Sequence, residues 1–147
     1  MSPRLSKEEA WAVLTKAHTG ILTTLKADGT PISLPMWFVA FDERIYVVTP
    51  ARTKKVTRVK RNSRASFLVE SGTRWTELQA VHVTGQAHVV EDDELRSRVR
   101  EVLDDKYAAF RTEGGDRNVD DVAMAVIEIT PDDRVLTWDN GRLPMRR

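Results

Sequence analysis

The residues best suited to chemistry form a basic segment between positions 52 and 64. It holds seven cations and no acidic residue: Arg52, Lys54, Lys55, Arg58, Lys60, Arg61 and Arg64. If a helix begins at Thr53, Lys54 and Lys55 lie in its first turn, where each cation opposes the helix dipole at a cost of up to about 1 kcal/mol. A bound anion reverses that sign, because helix N-terminal amides, a hydroxyl from Thr49 or Thr53 and nearby cations together bind phosphate. The segment therefore predicts a phosphate site; the alternative is a solvated helix face, which charge runs usually form.

A second candidate feature is the strand that contains Pro35. Proline cannot donate a ladder hydrogen bond, so this strand is expected at a sheet edge, or bulged, or both. Backbone groups left free there could bind the pyrimidine edge of a flavin-like ring, and Met36 and Trp37 could pack against the flat ring. The alternative is that Met36, Trp37 and Phe38 are core or dimer-interface residues, as aromatic clusters usually are.

None of the remaining polar residues is identified as a catalytic group. His82 and His88 are expected on the polar face of a strand, and His18 at a helix end, where a capping role is expected. Tyr46 and water are the conceivable proton donors. The histidine spacing gives no support to a metal site, and the absence of cysteine excludes disulfides, thiolate metal sites and a cysteine nucleophile.

Hydrophobic periodicity and turn residues predict the elements that position these groups. Strands are expected at 21–25, 31–41, 45–49, 65–69, 79–90, 122–129 and 135–138, with a hairpin turn at Asp28-Gly29 and a turn at 131–133. Helices are expected at 6–17, at 53–62 and from 91 onward, followed by a loop at 112–121. The last helix carries the apolar stripe Leu95, Val99, Val102, Leu103, Tyr107 and Phe110. Short connections predict a mainly antiparallel sheet that can close into a barrel.

Composition limits the classes of protein that fit. A length of 147 residues favours one domain spanning 1–147, and 41% hydrophobic with 31% charged residues is typical of a globular protein. No apolar run reaches the roughly 20 residues that cross a bilayer, and the charges that begin at Lys7 predict that no signal peptide is present. The lack of cysteine fits a reducing cytoplasm. A net charge of +1 weakens a nucleic-acid-binding interpretation of the basic segment.

The order of several motifs resembles the pyridoxamine 5′-phosphate oxidase-like family. The motifs are residues 28–31, 35–38, 46–49, 54–66 and 83–87, and the ending at 138–144 resembles the family's actinobacterial branch that depends on the deazaflavin F420. The resemblance implies a mainly β, six- to seven-stranded split β-barrel of the FMN-binding type. It also implies a homodimer with two cofactor sites at the subunit interface.

The resemblance also implies which residues bind the cofactor. They are Leu34, Pro35, Met36 and Trp37 along the ring and ribityl chain, Val48 and Thr49 on the next strand, Lys54, Lys55 and Arg58 at the phosphate, and Gln79 of either subunit. Trp75 and Trp138 could wall the pocket. Vitamin B6 oxidation is not expected, because Leu34 stands where those oxidases have arginine and their C-terminal arginine and histidine have no match.

The function implied is hydride transfer from reduced F420 to an electron-poor small molecule. F420 is favoured over FMN because a basic face that continues through Lys60, Arg61 and Arg64 would suit its anionic oligoglutamate tail. The alternatives are an FMN-dependent oxidoreductase, a cofactor-binding protein without turnover, and a basic interaction module. The sequence names neither the substrate nor the proton donor.

Overall fold

Seven strands and three α-helices make up the computed structural model, which describes residues 2–111 and 123–144. The strands are β1 Gly20–Leu25, β2 Pro31–Met36, β3 Val39–Phe41, β4 Arg44–Pro50, β5 Arg64–Ser71, β6 Gln79–Val89 and β7 Met124–Asp139. The helices are α1 Lys7–Lys16, α2 Lys54–Arg61 and α3 Asp93–Tyr107. The mainly β fold is therefore confirmed, whereas the loop predicted at 112–121 lies outside the described residues.

The sheet curls into a split barrel. Its strand order is β2-β1-β5-β6-β7-β4-β3, with antiparallel neighbours throughout. The consecutive strands β2 and β3 thus lie at opposite edges of the sheet, although the three residue steps from Met36 to Val39 span at most about 11 Å. The two edges must therefore approach each other, and the predicted split β-barrel is confirmed.

The prediction of one strand over 31–41 is wrong, because the chain leaves the sheet at Trp37 and Phe38. The Phe38 amide donates to the hydroxyl of Tyr107 at 2.9 Å, and that hydroxyl lies 2.9 Å from Phe38 O and 2.7 Å from His18 O. A side chain of α3 thus satisfies backbone groups that a neighbouring strand would otherwise bind. The expected edge position of the strand with Pro35 is confirmed, since β2 is an edge strand.

The two strands predicted at 122–129 and 135–138 are instead the single strand β7. Gly85 pairs with Pro131 and Val83 pairs with Val135, so residues 132–134 bulge opposite Thr84. The expected turn at 131–133 is therefore wrong. The partner strand β6 is long enough to continue pairing on both sides of the bulge, so the chain has no need to reverse direction.

Two apolar clusters hold the barrel and its helices together. The first fills the barrel and includes Leu14, Leu22, Phe38, Ile45, Phe67, Val81, Val83 and Ile127. The second lies under α3 and includes Val39, Tyr46, Val99, Leu103, Tyr107 and Val126. The predicted stripe of α3 is buried at Val99, Leu103 and Tyr107, but Phe110 lies past the helix end and is 58% exposed.

The N-terminal segment is fastened to the end of β7. The Leu5 amide donates to Thr137 Oγ1 at 3.0 Å, and Ser6 and Glu9 form a capping box at the start of α1. Arg142 forms an ion pair with Glu9 and donates to Arg4 O at 3.1 Å. Strand β4 pairs with β7 only as far as Ile129, so the edge of β7 is open beyond that residue. The N-terminal contacts cover this open edge.

The variant Arg142→Gln is expected to lower the melting temperature near pH 6 and to matter less near pH 3. Arg142 and the Ser6 capping groups hold the pKa of Glu9 at about 2, below its ordinary value of 4.5. A carboxylate with a depressed folded-state pKa stabilises the protein above its unfolded pKa and loses that contribution as pH falls through its folded pKa. The Tm difference from wild type should therefore shrink between pH 4.5 and pH 2.

The control for this prediction is Arg100→Gln, which removes an exposed arginine of α3. The melting temperatures of wild type and Arg142→Gln are compared from pH 7 down to pH 3. If their difference stays constant over this range, the ion pair does not set the titration of Glu9.

Candidate functional site

A groove of about 360 Å³ lies between β2 and the N-terminal half of α2. It is lined by Lys26, Ile32, Leu34, Lys54, Lys55 and Arg58. The structure thus brings together four residues predicted from the sequence, namely Leu34, Lys54, Lys55 and Arg58. Cations from α2 and Lys26 face an apolar strand wall, an arrangement that suits an anionic group attached to a less polar chain.

Two lining residues, Lys26 and Ile32, were missed from the sequence. Ile32 carries a usable signal, because it lies two residues before Leu34 and side chains alternate along a strand. Lys26 follows β1 at the hairpin turn, and only the pairing of β1 with β2 brings it to the groove.

The N-terminus of α2 lacks the stabilising groups found at the other two helices. Ser6 and Asp92 cap α1 and α3 with side-chain hydrogen bonds, and acidic residues follow in both first turns. In α2 the first turn holds Lys54 and Lys55 with no acidic residue, and the N-cap Thr53 makes no side-chain cap. The Thr53 Oγ1 atom is buried without a hydrogen-bond partner among the described residues. A buried unsatisfied hydroxyl costs about 1–3 kcal/mol, so this helix start fits a phosphate-bearing group that would use it.

The burial of Arg58 disagrees with the alternative interpretation of the basic segment, which expects a solvated helix face. It is only 8% exposed, and its Nε donates to Thr24 Oγ1 on β1 at 2.8 Å. Val56 and Val59 on the same helix are buried against the barrel. The Thr24 contact holds the planar guanidinium in place at the groove, which lowers the entropy lost when it binds an anion.

The predicted ring-binding residues of β2 lie on alternate faces. Leu34 lines the groove and Met36 packs partly against the barrel core, whereas the Pro35 side chain is exposed on the opposite face. Trp37 follows the strand, is 41% exposed, and stacks on the Tyr107 ring at a centroid distance of 4.3 Å with planes 10° apart. Leu34 therefore lies at the groove within β2, whereas Trp37 lies beyond the end of the strand.

Val48 and Thr49 do not line the groove. Their side chains point to opposite faces of β4, because Thr49 is buried at 3% exposure while Val48 packs against the cluster under α3. The two side chains therefore cannot contact one bound group from the same face of β4.

Gln79 lies at the far end of the barrel from α2. It pairs with Ser71 at the end of β5, and its Nε2 donates to Asp139 Oδ2 at 3.3 Å. The strand from Ser71 back to Arg64, next to α2, covers about 23 Å. Trp75 and Trp138 share the Gln79 end of the barrel and are 63% and 37% exposed. These residues do not reach the groove of their own chain.

The residues considered for acid–base chemistry have structural roles. The Tyr46 hydroxyl donates to Glu128 Oε2 at 2.9 Å, and burial together with that carboxylate raises the pKa of Tyr46 to about 12. The Tyr46 hydroxyl is thus engaged by Glu128, and Tyr46 does not line the groove. His18 does not cap α1, which ends at Lys16 with Ala17 as its C-cap residue. The His18 ring packs edge-on against Tyr107 and Phe110.

The described ranges hold neither a metal-binding cluster of side chains nor a membrane-spanning helix. Residues 2–111 and 123–144 contain no cluster of three or more His, Asp or Glu side chains that could hold a metal ion. None of the helices described there is long and apolar enough to cross a bilayer.

Comparison with known proteins identifies the family. The family model described as pyridoxamine 5′-phosphate oxidase matches residues 6–138. The chain belongs to this family. The resemblance predicted from the sequence is thereby confirmed, and the matched range includes both the groove and the strands that form the barrel.

A curated relative of the chain is a redox enzyme, and solved structures share its fold. The chain is 33% identical over 97 residues to an F420H(2)-dependent biliverdin reductase of Mycobacterium tuberculosis, covering 63% of this chain and 69% of that protein. A conserved hypothetical protein of the same organism, Rv2991, superposes with a TM-score of 0.83 at 28% identity, covering 99% of this chain and 93% of the other. An FAD-binding protein of Mesorhizobium loti shares the fold, with a TM-score of 0.69 at 22% identity over 89% and 90% of the two chains. Family membership and the similarity to the biliverdin reductase support an oxidoreductase of the flavin or deazaflavin type.

Proposed function

We propose that the protein is an F420-dependent oxidoreductase that transfers hydride from the reduced deazaflavin to an electron-poor small molecule. The observation that carries this proposal is the start of α2, where Lys54 and Lys55 line the groove. The hydroxyl of the adjacent N-cap residue Thr53 is buried and has no hydrogen-bond partner among the described residues. The relative named as an F420H(2)-dependent reductase supports the choice of cofactor.

Each part of the groove has a role in this proposal. Lys54, Lys55 and the first-turn amides of α2 bind the phosphate, and Arg58, held by Thr24, adds a fixed cation. Ile32 and Leu34 exclude water from one side of the bound chain. The bound deazaflavin supplies the hydride, and the protein contributes orientation and a dry site.

The preference for F420 over FMN rests on the residues beyond the phosphate position. Lys60, Arg61 and Arg64 are exposed and continue the basic surface past the C-terminus of α2. Arg64 is already 3.6 Å from Asp132, which leaves Lys60 and Arg61 as the main candidates for the oligoglutamate tail. FMN ends at its phosphate and would not use them.

The proposal includes a homodimer, because the outer face of the sheet carries one largely apolar row of side chains that is partly uncovered. Strand register places one row of side chains across five strands on this face: Pro35, Ile21, Leu68, His82 and Leu136. Leu136 is 59% exposed, and Trp75 and Trp138 are exposed near the same end. A second copy packed on this face would bury that surface. Its Gln79 could then reach a groove that the Gln79 of the same chain cannot.

The cofactor assignment is tested by titrating the purified protein with FMN, with F420 carrying one glutamate and with F420 carrying a long tail. We expect F420 to bind more tightly than FMN, and the long tail to bind more tightly than the short one. The variant Lys60→Ala/Arg61→Ala should remove the dependence on tail length, whereas Lys16→Ala/Arg100→Ala, with the same charge change, should keep it. Cofactor fluorescence measures each affinity.

Other outcomes separate the alternatives. Tighter FMN binding would favour the flavin-dependent enzyme, and binding of neither cofactor would overturn the proposal. F420 binding with no reduction of a panel of quinones, enones and tetrapyrroles would indicate a carrier without turnover.

A further inference from the structure

We propose that Lys106 and Trp37 recognise the substrate, and that this substrate is a planar conjugated molecule carrying a carboxylate. The inference rests on the proposed function, because it places the substrate at the ring end of the cofactor groove.

Lys106 of α3 lies beside residues 37–38, where the chain crosses between the two edges of the barrel. Its Nζ donates to Phe38 O at 3.0 Å and lies 4.1 Å from the centroid of the Phe38 ring and 5.3 Å from that of Tyr107. Phe38 directly follows Trp37, and Trp37 stacks on Tyr107. Lys106 and Trp37 therefore contact the same aromatic ring.

The ammonium group of Lys106 has no counter-ion within the part of the chain that the structure describes. Among the residues that the structure describes it forms no ion pair, and the nearby Asp104 is bound by Arg111 at 2.8 Å. Burial lowers the pKa of Lys106 to about 8, which reports the cost of keeping its charge there. An ammonium has three donors, and Phe38 O takes one of them, so two remain for an anionic ligand.

Trp37 contacts the same Tyr107 ring as this cation and offers an open aromatic face of its own. One face of its ring is covered by Tyr107, yet the residue is 41% exposed, so the remainder of the ring is accessible. Stacking between flat rings favours a planar conjugated partner. Trp37 also lies three residues, or about 10 Å, beyond the groove residue Leu34 along the extended chain. The cation is thus displaced from the phosphate end of the groove.

The number of cations distinguishes this position from the phosphate site. The groove collects four cationic side chains, whereas the platform formed by Trp37 and Tyr107 has one ammonium with two free donors. One such group matches a single carboxylate. Neutral aromatic molecules would gain the stacking contact alone.

The test compares anthraquinone-2-carboxylate with anthraquinone-2-carboxamide, which has the same planar shape without the charge. Binding to the protein, with and without F420, is followed by tryptophan fluorescence and calorimetry. We expect wild type to bind the carboxylate about 10-fold more tightly than the amide, as one charge-assisted hydrogen bond allows. Lys106→Met should bring the carboxylate to the affinity of the amide, and Lys106→Arg should retain the preference. Trp37→Leu should weaken both ligands equally.

F420 affinity is measured on the same variants, so that the two proposals can fail separately. If wild type binds F420 but shows no preference for the carboxylate, or if Lys106→Met keeps that preference, only the inference about Lys106 is overturned. If Lys106→Met loses F420 affinity, Lys106 belongs to the cofactor site and the inference is again wrong. If no protein binds F420, the proposed function fails, whereas the comparison of carboxylate and amide still decides whether Lys106 recognises the anion.

Discussion

Replacing Lys54 and Lys55 together by alanine is expected to weaken F420 binding by about 100-fold or more without unfolding the protein. Each lysine is placed to make a charge-assisted hydrogen bond, worth about 1.5–3 kcal/mol, and about 1.4 kcal/mol corresponds to a tenfold change in affinity. In the free protein the two cations oppose the dipole of α2, so their removal should leave the melting temperature unchanged or slightly raised. Lower affinity combined with equal or higher stability is the signature of a binding site.

The matched control is Lys16→Ala/Arg100→Ala, which removes the same charge from exposed positions on α1 and α3. Fluorescence titration at low and moderate salt separates local binding from general attraction, because long-range effects of exposed charges are screened. Equal F420 affinities for the two double variants would show that the start of α2 is not the phosphate site. Arg58 is a poorer choice for this test, since its loss would also leave the buried Thr24 hydroxyl without its partner.

Gly85→Ala is expected to destabilise the fold by about 3 kcal/mol or more, the upper end of the cost of overpacking. A Cβ atom on residue 85 would lie 3.0 Å from Pro131 Cα and would overlap the carbonyl oxygen of Thr130. Both neighbours are backbone atoms next to the bulge of β7, and β6 is paired on its other side with β5. Neither strand can move away without breaking ladder hydrogen bonds. A loss of that size is a large share of the 5–15 kcal/mol that stabilises a typical domain.

Gly141→Ala is the control, because it makes the same chemical change where space exists. Its Cβ would lie 3.1 Å from the Asp139 side chain and at an ordinary contact distance of 3.6 Å from Thr76 O, so the effect should stay within about 1 kcal/mol. Both variants change the entropy of the unfolded chain in the same way, so their difference reports the folded state. Urea denaturation followed by circular dichroism measures both. A Gly85→Ala midpoint equal to that of Gly141→Ala would contradict the close approach of β6 and β7.

The sequence by itself determined the features that depend on neighbouring residues. The helix predicted over 6–17, the strand over 79–90 and the helix over 53–62 are all confirmed by the structure. Capping and periodicity act over two to four residues, so they are readable without knowing the fold. The concentration of cations at the start of α2 is a signal of the same local kind.

Only the tertiary structure decided which distant groups meet. The break at Phe38 depends on a hydroxyl 69 residues away, and the burial of Arg58 depends on Thr24, 34 residues away. The contact of Lys106 with Phe38 spans 68 residues, and no local pattern marks it. A strand pattern also cannot show that β7 continues through its bulge, because that depends on the length of its partner β6. Local sequence sets each element, whereas hydrogen-bond partners and burial follow from how the curled sheet brings its two edges together.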